Sequence, residues 1–563
     1  MTTSNRQPAS EAASLSKAAG PAGGVPDSLL RDLRQRLIDR EINKGIELLQ
    51  RRMELIRQLR PEHSNAGAFV CTVAQWVDIG FDHPTLLKEL ISRFTPEERA
   101  ALPLADYAQL RMAEGMLALS EEESDKAIRH LDFVIGMDNE LHDKYLVAIA
   151  TFWKGRSLRK KAGYDEALTC TVNAQRLATD LGYQKTAAVM QVLESWLLFQ
   201  KGRDKEAATV LRQAEARLRE TDDHLALGNI WSSRGRIARR ECRHEQAIEC
   251  FDKAIAEYRQ TDPHHRNLAR SLVNIAIVKR HIALQLRDKI DADARRKRGT
   301  GGTERRSNAR GMQMRKRLEQ LRTEAFADLE EAKEIYRENP NQHGSGSVRL
   351  TCGYLHLDNG DFDRAAEEAD RSFHIAEQKT DYVLMSRARL LQCLVENGKL
   401  EEEVGEGGDP GSHARRALEA AREAVELAKH TQNRRVLAAA HIGQGLTESN
   451  SFFDDVEAAQ RSYELAATAL KDQDHGNLAP ELKLLKSRLV RTGAVDPTLR
   501  AWTQGLVGSK SFQQMVDEFA DIVVPRVWER EGRKISRVAE RLSMSPKKVR
   551  RILKRAVRRG GRS

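Results

Sequence analysis

A period of forty residues is what most narrows the folds open to this chain. Ala127, Ala167, Ala207 and Ala247 recur at that interval, inside the related phrases DKAIRHL, DEALTCT, KEAATVL and EQAIECF. Twelve residues before each alanine lies another small residue, Gly115, Gly155, Ser195 or Gly235. Seven residues after each come Val134, Ala174, Ala214 and Ala254. Small side chains at fixed places let two antiparallel helices approach closely and let the next pair stack on them. Such a unit cannot bury its apolar face alone, so its recurrence predicts an all-α solenoid of antiparallel helix pairs. The scarcity of proline, 14 in 563 residues, agrees with helix throughout.

Less regular copies follow around Ala325, between Gly353 and Ala365, and around Ala417 and Ala459, so the repeats are expected over 105–490. Two stretches break the pattern. Residues 287–317 hold 12 Lys/Arg against 4 Asp/Glu, and residues 400–413 are acidic and glycine-rich. Both compositions bury too little apolar surface to offset ordering entropy, which predicts disordered loops. Before the repeats, residues 1–27 read as a disordered lead-in and 28–104 as a helical cap. That cap is expected to begin with one helix from Ser28 to Arg60, followed by helices at Ala66–Ile79 and Pro84–Phe94. After the repeats, 491–511 reads as a linker and 512–563 as a separate small domain.

The repeats resemble the tetratricopeptide family. The likeness rests on the small residue late in the first helix, the alanine opening the second, and the apolar Leu131, Leu211 and Phe251 four positions on. The spacing exceeds that family's usual ~34 residues, only Trp231 fills the aromatic position of the first helix, and the closing proline is missing. The resemblance implies a concave surface lined by first-helix positions three before, one after and four after the small residue. In this chain these include Arg156, Arg159, Trp196, Phe199, Arg236 and Arg239, a set suited to an acidic, partly apolar peptide of a partner protein. A row of solvated arginines is the plainer alternative.

Charge then singles out the C-terminus. From Pro525 to Ser563 there are 15 Lys/Arg and 3 Asp/Glu, a surplus of +12 against +11 for the whole chain. The surplus is patterned. Ile535, Val538, Ala539 and Leu542 mark one face of a short helix, and Ser543, Met544 and Ser545 make a turn. Ser545 is a suitable N-cap, with Pro546 at the first helical position. The next helix would bury Val549, Ile552, Leu553 and Ala556, leaving Lys547, Lys548, Arg550, Arg551, Lys554 and Arg555 outward, as a DNA major groove requires.

This segment resembles the Fis-type helix-turn-helix found at the C-terminus of many bacterial transcriptional activators. DEFADIVVPRVWEREG stands where that family has its long leading helix, Gly532 where it has its break, and SMSPKKVRRILKR where it has the turn and recognition helix. The resemblance implies base or phosphate contacts from Ser545, Lys548 and Arg551, and pairing of two chains through the leading helix. Pro546 stands where Fis itself has an arginine, and Pro525 is expected to kink or split the leading helix. By position along the helix, Ser545, Lys547, Lys548 and Arg551 suit base edges, while Arg550, Lys554, Arg555, Arg558 and Arg559 suit phosphates.

Other chemistry finds no support in the sequence. The six cysteines show no metal-ligand spacing, GLVGSKS at 505–511 lacks the Gly-Lys junction of a phosphate loop, and no nucleophile or metalloprotease motif occurs. The expectation is a cytoplasmic, non-enzymatic protein without cofactor or metal and with no membrane partner. Its solenoid would bind a partner or signal, and its C-terminus would bind double-stranded DNA, with a homodimer possible. The rival is a repeat adaptor whose basic end holds RNA or an acidic protein.

Overall fold

The computed structural model describes residues 24–81, 83–299, 304–406, 409–473, 475–493 and 510–560, and contains helices and no strand among them. The period of forty has a simple origin. Helices Lys144–Lys160, Tyr164–Asp180 and Gln184–Gln200 each have 17 residues, and three-residue turns join them. Two such helices and two such turns make one repeat, longer than the tetratricopeptide unit because each helix is longer.

Inner helices Leu104–Ser120, Lys144–Lys160, Gln184–Gln200 and His224–Arg240 alternate with outer helices Ser124–Gly136, Tyr164–Asp180, Asp204–Leu218 and His244–Thr261. Further pairs run Arg266–Gly299 with Glu304–Glu338, Gln342–Asp358 with Phe362–Glu377, Tyr382–Glu406 with Gly411–Lys429, and Arg434–Glu448 with Val456–Ala469. Helix Ala479–Gly493 follows them. Ala127, Ala167, Ala207 and Ala247, with Val134, Ala174, Ala214 and Ala254, have no exposed surface. The small inner-helix residues explain themselves by contact. A Cβ on Gly235 would come within 2.6 Å of the Phe251 ring, and Ser195 Oγ donates to the Ala207 carbonyl at 2.9 Å.

Several sequence expectations need correction. Of the basic stretch 287–317, expected to be a disordered loop, residues 287–299 and 304–317 are helical, and 300–303 lie outside the described residues. The helical parts lengthen one pair into helices of 34 and 35 residues, held by Ala283, Leu318 and Leu321 with Leu286 and Ile290 beside them. The acidic stretch 400–413 likewise continues its helix to Glu406, with Leu400 buried, and the next helix starts at Gly411. In both places the pairing of two helices supplied apolar surface that composition alone concealed. The expected helix from Ser28 to Arg60 is three helices, Asp27–Asp39, Ile42–Arg51 and Met53–Arg57, broken first at Arg40, whose φ is 55°. Residues 1–23 of the lead-in lie outside the described residues. Val25 is buried and donates its N–H to the Ser64 carbonyl at 3.1 Å, so the lead-in ends earlier than expected. Most of the expected linker, 494–509, also lies outside the described residues.

The pairs wind into a superhelix whose turns touch. Gln432 donates its N–H to the Ala162 carbonyl at 3.4 Å, and Gln432 Oε1 accepts from Asp165 N at 2.7 Å. Asn433 Nδ2 donates to Gln200 Oε1, and the Glu122 carboxylate accepts from Asn341 Nδ2 and Gln342 N, all at 3.2 Å. Gly476 sits against the backbone of Arg240. These contacts join segments more than 200 residues apart at the C-terminal ends of the inner helices.

The N-terminal helices grip the opposite ends. Arg34 forms two hydrogen bonds with Asp143, at 3.0 and 2.8 Å, and Arg40 Nε donates to Asp223 at 2.8 Å. Asp143 and Asp223 are also N-caps, accepting from Leu146 N and Ala226 N. Each carboxylate therefore sits at a positive helix end and receives a guanidinium as well. Gly80 lies beside Thr261, so the N-terminal helices run along this edge from Asp143 to Thr261.

Candidate functional site

The inner wall is cationic because the inner helices carry arginine near one end or the other. Arg156 and Arg159 come from Lys144–Lys160, Arg236 and Arg239 from His224–Arg240, Arg266 and Arg270 from the start of Arg266–Gly299, and Arg387 from Tyr382–Glu406. They are half-buried, not the solvated row of the plainer expectation. Burial, then the neighbouring Arg270, Arg156 and Arg236, pushes Arg159 down to about 9. Burial, then Arg387, Arg236 and Arg240, does the same to Arg239, also to about 9, and burial and Arg270 bring Arg236 to about 10. The guanidinium groups stay charged at neutral pH; the downward direction registers crowding of like charges in a place poor in water. Burial and Arg266 hold His265 down at about 4, and burial with Arg280 and Arg239 holds His281 near 3. Both rings are neutral at physiological pH.

The six expected groove residues thus divide. Arg156 is engaged by Asp78, with bonds of 2.6 and 3.1 Å, and lies over the Trp153 ring at 4.0 Å. Trp196 packs edge-on to Tyr164, and Arg159 covers its ring at 4.9 Å. Phe199 does not line the groove. It is 7% exposed, belongs to the core, and supports the guanidinium of Arg240 at 3.4 Å. Arg239 Nη1 donates to Asn274 Oδ1 at 2.5 Å, and Arg236 Nη2 to Ser232 Oγ at 3.1 Å. Arg266, Arg270 and Arg387 were missed, because they precede or fall outside the regular period. Only the winding of the superhelix places them beside the others.

The C-terminal unit consists of helices Phe512–Arg530, Ile535–Arg541 and Pro546–Gly560 around Val524, Val538, Ala539, Val549 and Ile552. Ser511 opens the first with a capping box, and the helix passes through Pro525 unsplit. Ser545 Oγ accepts from Lys548 N at 3.3 Å, the expected cap. Lys547, Lys548, Arg550, Arg551 and Lys554 are exposed. Arg555 departs from the rest, since its Nε donates to Asp521 at 2.6 Å and its Nη2 to the Asp517 carbonyl at 3.0 Å. It ties the last helix to the first instead of facing outward. Changing Arg555 to leucine should lower the unit's stability by about 1 kcal/mol, the scale of a part-exposed charged pair. Its helical circular dichroism on heating reports this, and any polyanion affinity should survive while the unit stays folded.

Among known proteins, the tetratricopeptide repeat model matches residues 227–283, which span one helix pair and the start of the next. That helix pair is thus similar to a tetratricopeptide repeat, and the chain as described is an all-helical solenoid. No curated protein matches the chain in sequence. Solved structures similar to it include an IFIT1 monomeric mutant with Gppp-AAAA, at 14% identity and TM-score 0.43, covering 83% of this chain and 95% of that one. The apo quorum sensor NprR from B. thuringiensis has 11% identity and TM-score 0.41, covering 79% and 98%. Yeast Tom70 has 12% identity and TM-score 0.39, covering 85% and 98%. Likeness of this degree says nothing about ligands. No helix among the described residues is long and apolar enough to cross a membrane.

Proposed function

We propose that the protein is a DNA-binding transcriptional regulator, in which the solenoid receives a partner or signal and a C-terminal helix-turn-helix reads the promoter. One observation carries this reading. The helix Pro546–Gly560 buries Val549 and Ile552, 0% and 3% exposed, while Lys547, Lys548, Arg550, Arg551 and Lys554 stand in solvent. Ser545 fixes the N-terminal end of that helix, from which base edges are reached. Ser545, Lys547, Lys548 and Arg551 are assigned to bases, and Arg550 and Lys554 to phosphates. Phe512, Val516 and Phe519 form an exposed stripe on the leading helix, 77%, 43% and 50% exposed, which suits pairing of two chains there.

Electrophoretic titration against genomic and random duplexes tests the reading. Changing Lys548 and Arg551 together to glutamine should cost roughly 1–3 kcal/mol per lost base contact, on the preferred sequence only. Changing Arg550 or Lys554 should weaken every sequence and lower the salt slope by about 1. Salt-sensitive binding with no sequence preference would replace the regulator with an adaptor whose basic end holds RNA or an acidic protein.

A further inference from the structure

The inner wall carries more positive charge than its own carboxylates answer. Arg156, Arg240 and Arg280 are paired, with Asp78, Asp204 and Asp358. Among the described residues no carboxylate lies within ion-pair distance of Arg159, Arg236, Arg239, Arg266, Arg270 or Arg387. The six come from four inner helices and are close enough to perturb one another in a chain. Arg159 feels Arg270 and Arg236, Arg239 feels Arg387, and Tyr336 feels Arg270, Arg266 and Arg236 together. Arg159 Nε is buried and makes no hydrogen bond within the protein. The facing carboxylates are committed elsewhere, Asp78 to Arg156 and Glu122 to Asn341 and Gln342.

A folded protein keeps such a cluster at a cost, since buried like charges destabilise it. An anion bound among them removes that cost. The wall also discriminates between anions. Guanidinium groups only donate, and the amide oxygens nearby already accept within the protein, Asn274 Oδ1 from Arg239, and Asn229 Oδ1 from the Tyr258 hydroxyl and Asn267. An acidic peptide brings a backbone N–H with every carboxylate, and each needs an acceptor. Phosphate oxygens need donors alone and match the planar fork of arginine.

We propose that Arg159, Arg236, Arg239, Arg266, Arg270 and Arg387 form a binding site for a polyphosphate chain, such as a nucleotide carries, inside the superhelix. This rests on the solenoid being the ligand-receiving half of the protein and does not depend on DNA binding. Such a ligand has a higher charge density than the acidic peptide expected from the sequence.

Isothermal titration of the full chain at low salt, with inorganic tripolyphosphate, adenosine triphosphate and hexaglutamate, tests it. The two phosphate probes should bind and hexaglutamate should not displace them. Equal affinity would place recognition in the phosphate chain, and tighter nucleotide binding would place it in the nucleoside as well. The double variant R159Q/R270Q should weaken tripolyphosphate about 100-fold, two charge-assisted contacts being lost. Its melting temperature without ligand should stay or rise, because repulsion is relieved. The outward variant Arg176→Gln should change nothing. Absence of binding at millimolar tripolyphosphate, wild-type affinity in the double variant, or tighter binding of hexaglutamate would each overturn the site. Loss of tripolyphosphate binding in K548Q/R551Q would overturn it too, by moving the phosphate to the C-terminal unit. Failure of sequence-specific DNA binding, by contrast, leaves every one of these results unchanged.

Discussion

Replacing Asp223 by alanine is expected to be among the most damaging single changes in the solenoid. Asp223 and Arg40 are 183 residues apart, yet their side chains are only 2% and 10% exposed and are joined at 2.8 Å. Removing the carboxylate strands a guanidinium in the interior, which costs about 3–5 kcal/mol. Asp223 Oδ1 also accepts from Ala226 N at 3.0 Å, and losing that cap adds about 1 kcal/mol. The neighbouring Asp222 would still hold Ile42 N and Asn43 N, at 2.7 and 2.8 Å, so the N-terminal helices should loosen without leaving. A double-mutant cycle separates the two contributions. In an Arg40→Met background the same change should cost only the cap, about 1 kcal/mol. Urea midpoints showing equal losses in both backgrounds would mean that the pair contributes nothing.

The second large effect is expected at Gly476, where one superhelical turn meets another. Its φ is +49°, and a Cβ there would collide with the carbonyl oxygen of Arg240. Valine must therefore adopt a left-handed backbone and displace the neighbouring turn as well. Together these should cost about 3 kcal/mol. Because repeats communicate mainly with their neighbours, the loss should be local. Amide exchange should accelerate over 430–490 while Ala66–Asp78 and Leu104–Ser120 keep their protection. Unchanged exchange in 430–490 would show that the turns are not fastened at this point.

Different parts of the protein were legible in the sequence to different degrees. The alternation of inner and outer helices was readable from Ala127 to Ala254, because helix pairing is local and small residues mark each close approach. The caps at Ser545 and the apolar face of Val549 and Ile552 were readable for the same reason. Residues 287–299, 304–317 and 400–406 were read as loops, since charge and glycine suggested them, and are helical. A partner helix offers burial that a single-segment reading cannot see. Arg555 was misplaced because a helical wheel shows which side is polar, not which acid on another helix waits there.

Local spacing alone therefore determined the unit, a helix pair with a forty-residue repeat, and the concentration of charge at one end. Tertiary structure decided how the units wind. Small rotations between successive pairs accumulate until Gly476 reaches Arg240 and Asn433 reaches Gln200. That accumulation also brought Arg270 toward Arg159 and Arg387 toward Arg239, from helices distant in sequence. No periodicity records it, because superhelical pitch arises from many small packing angles and not from any residue at a fixed interval.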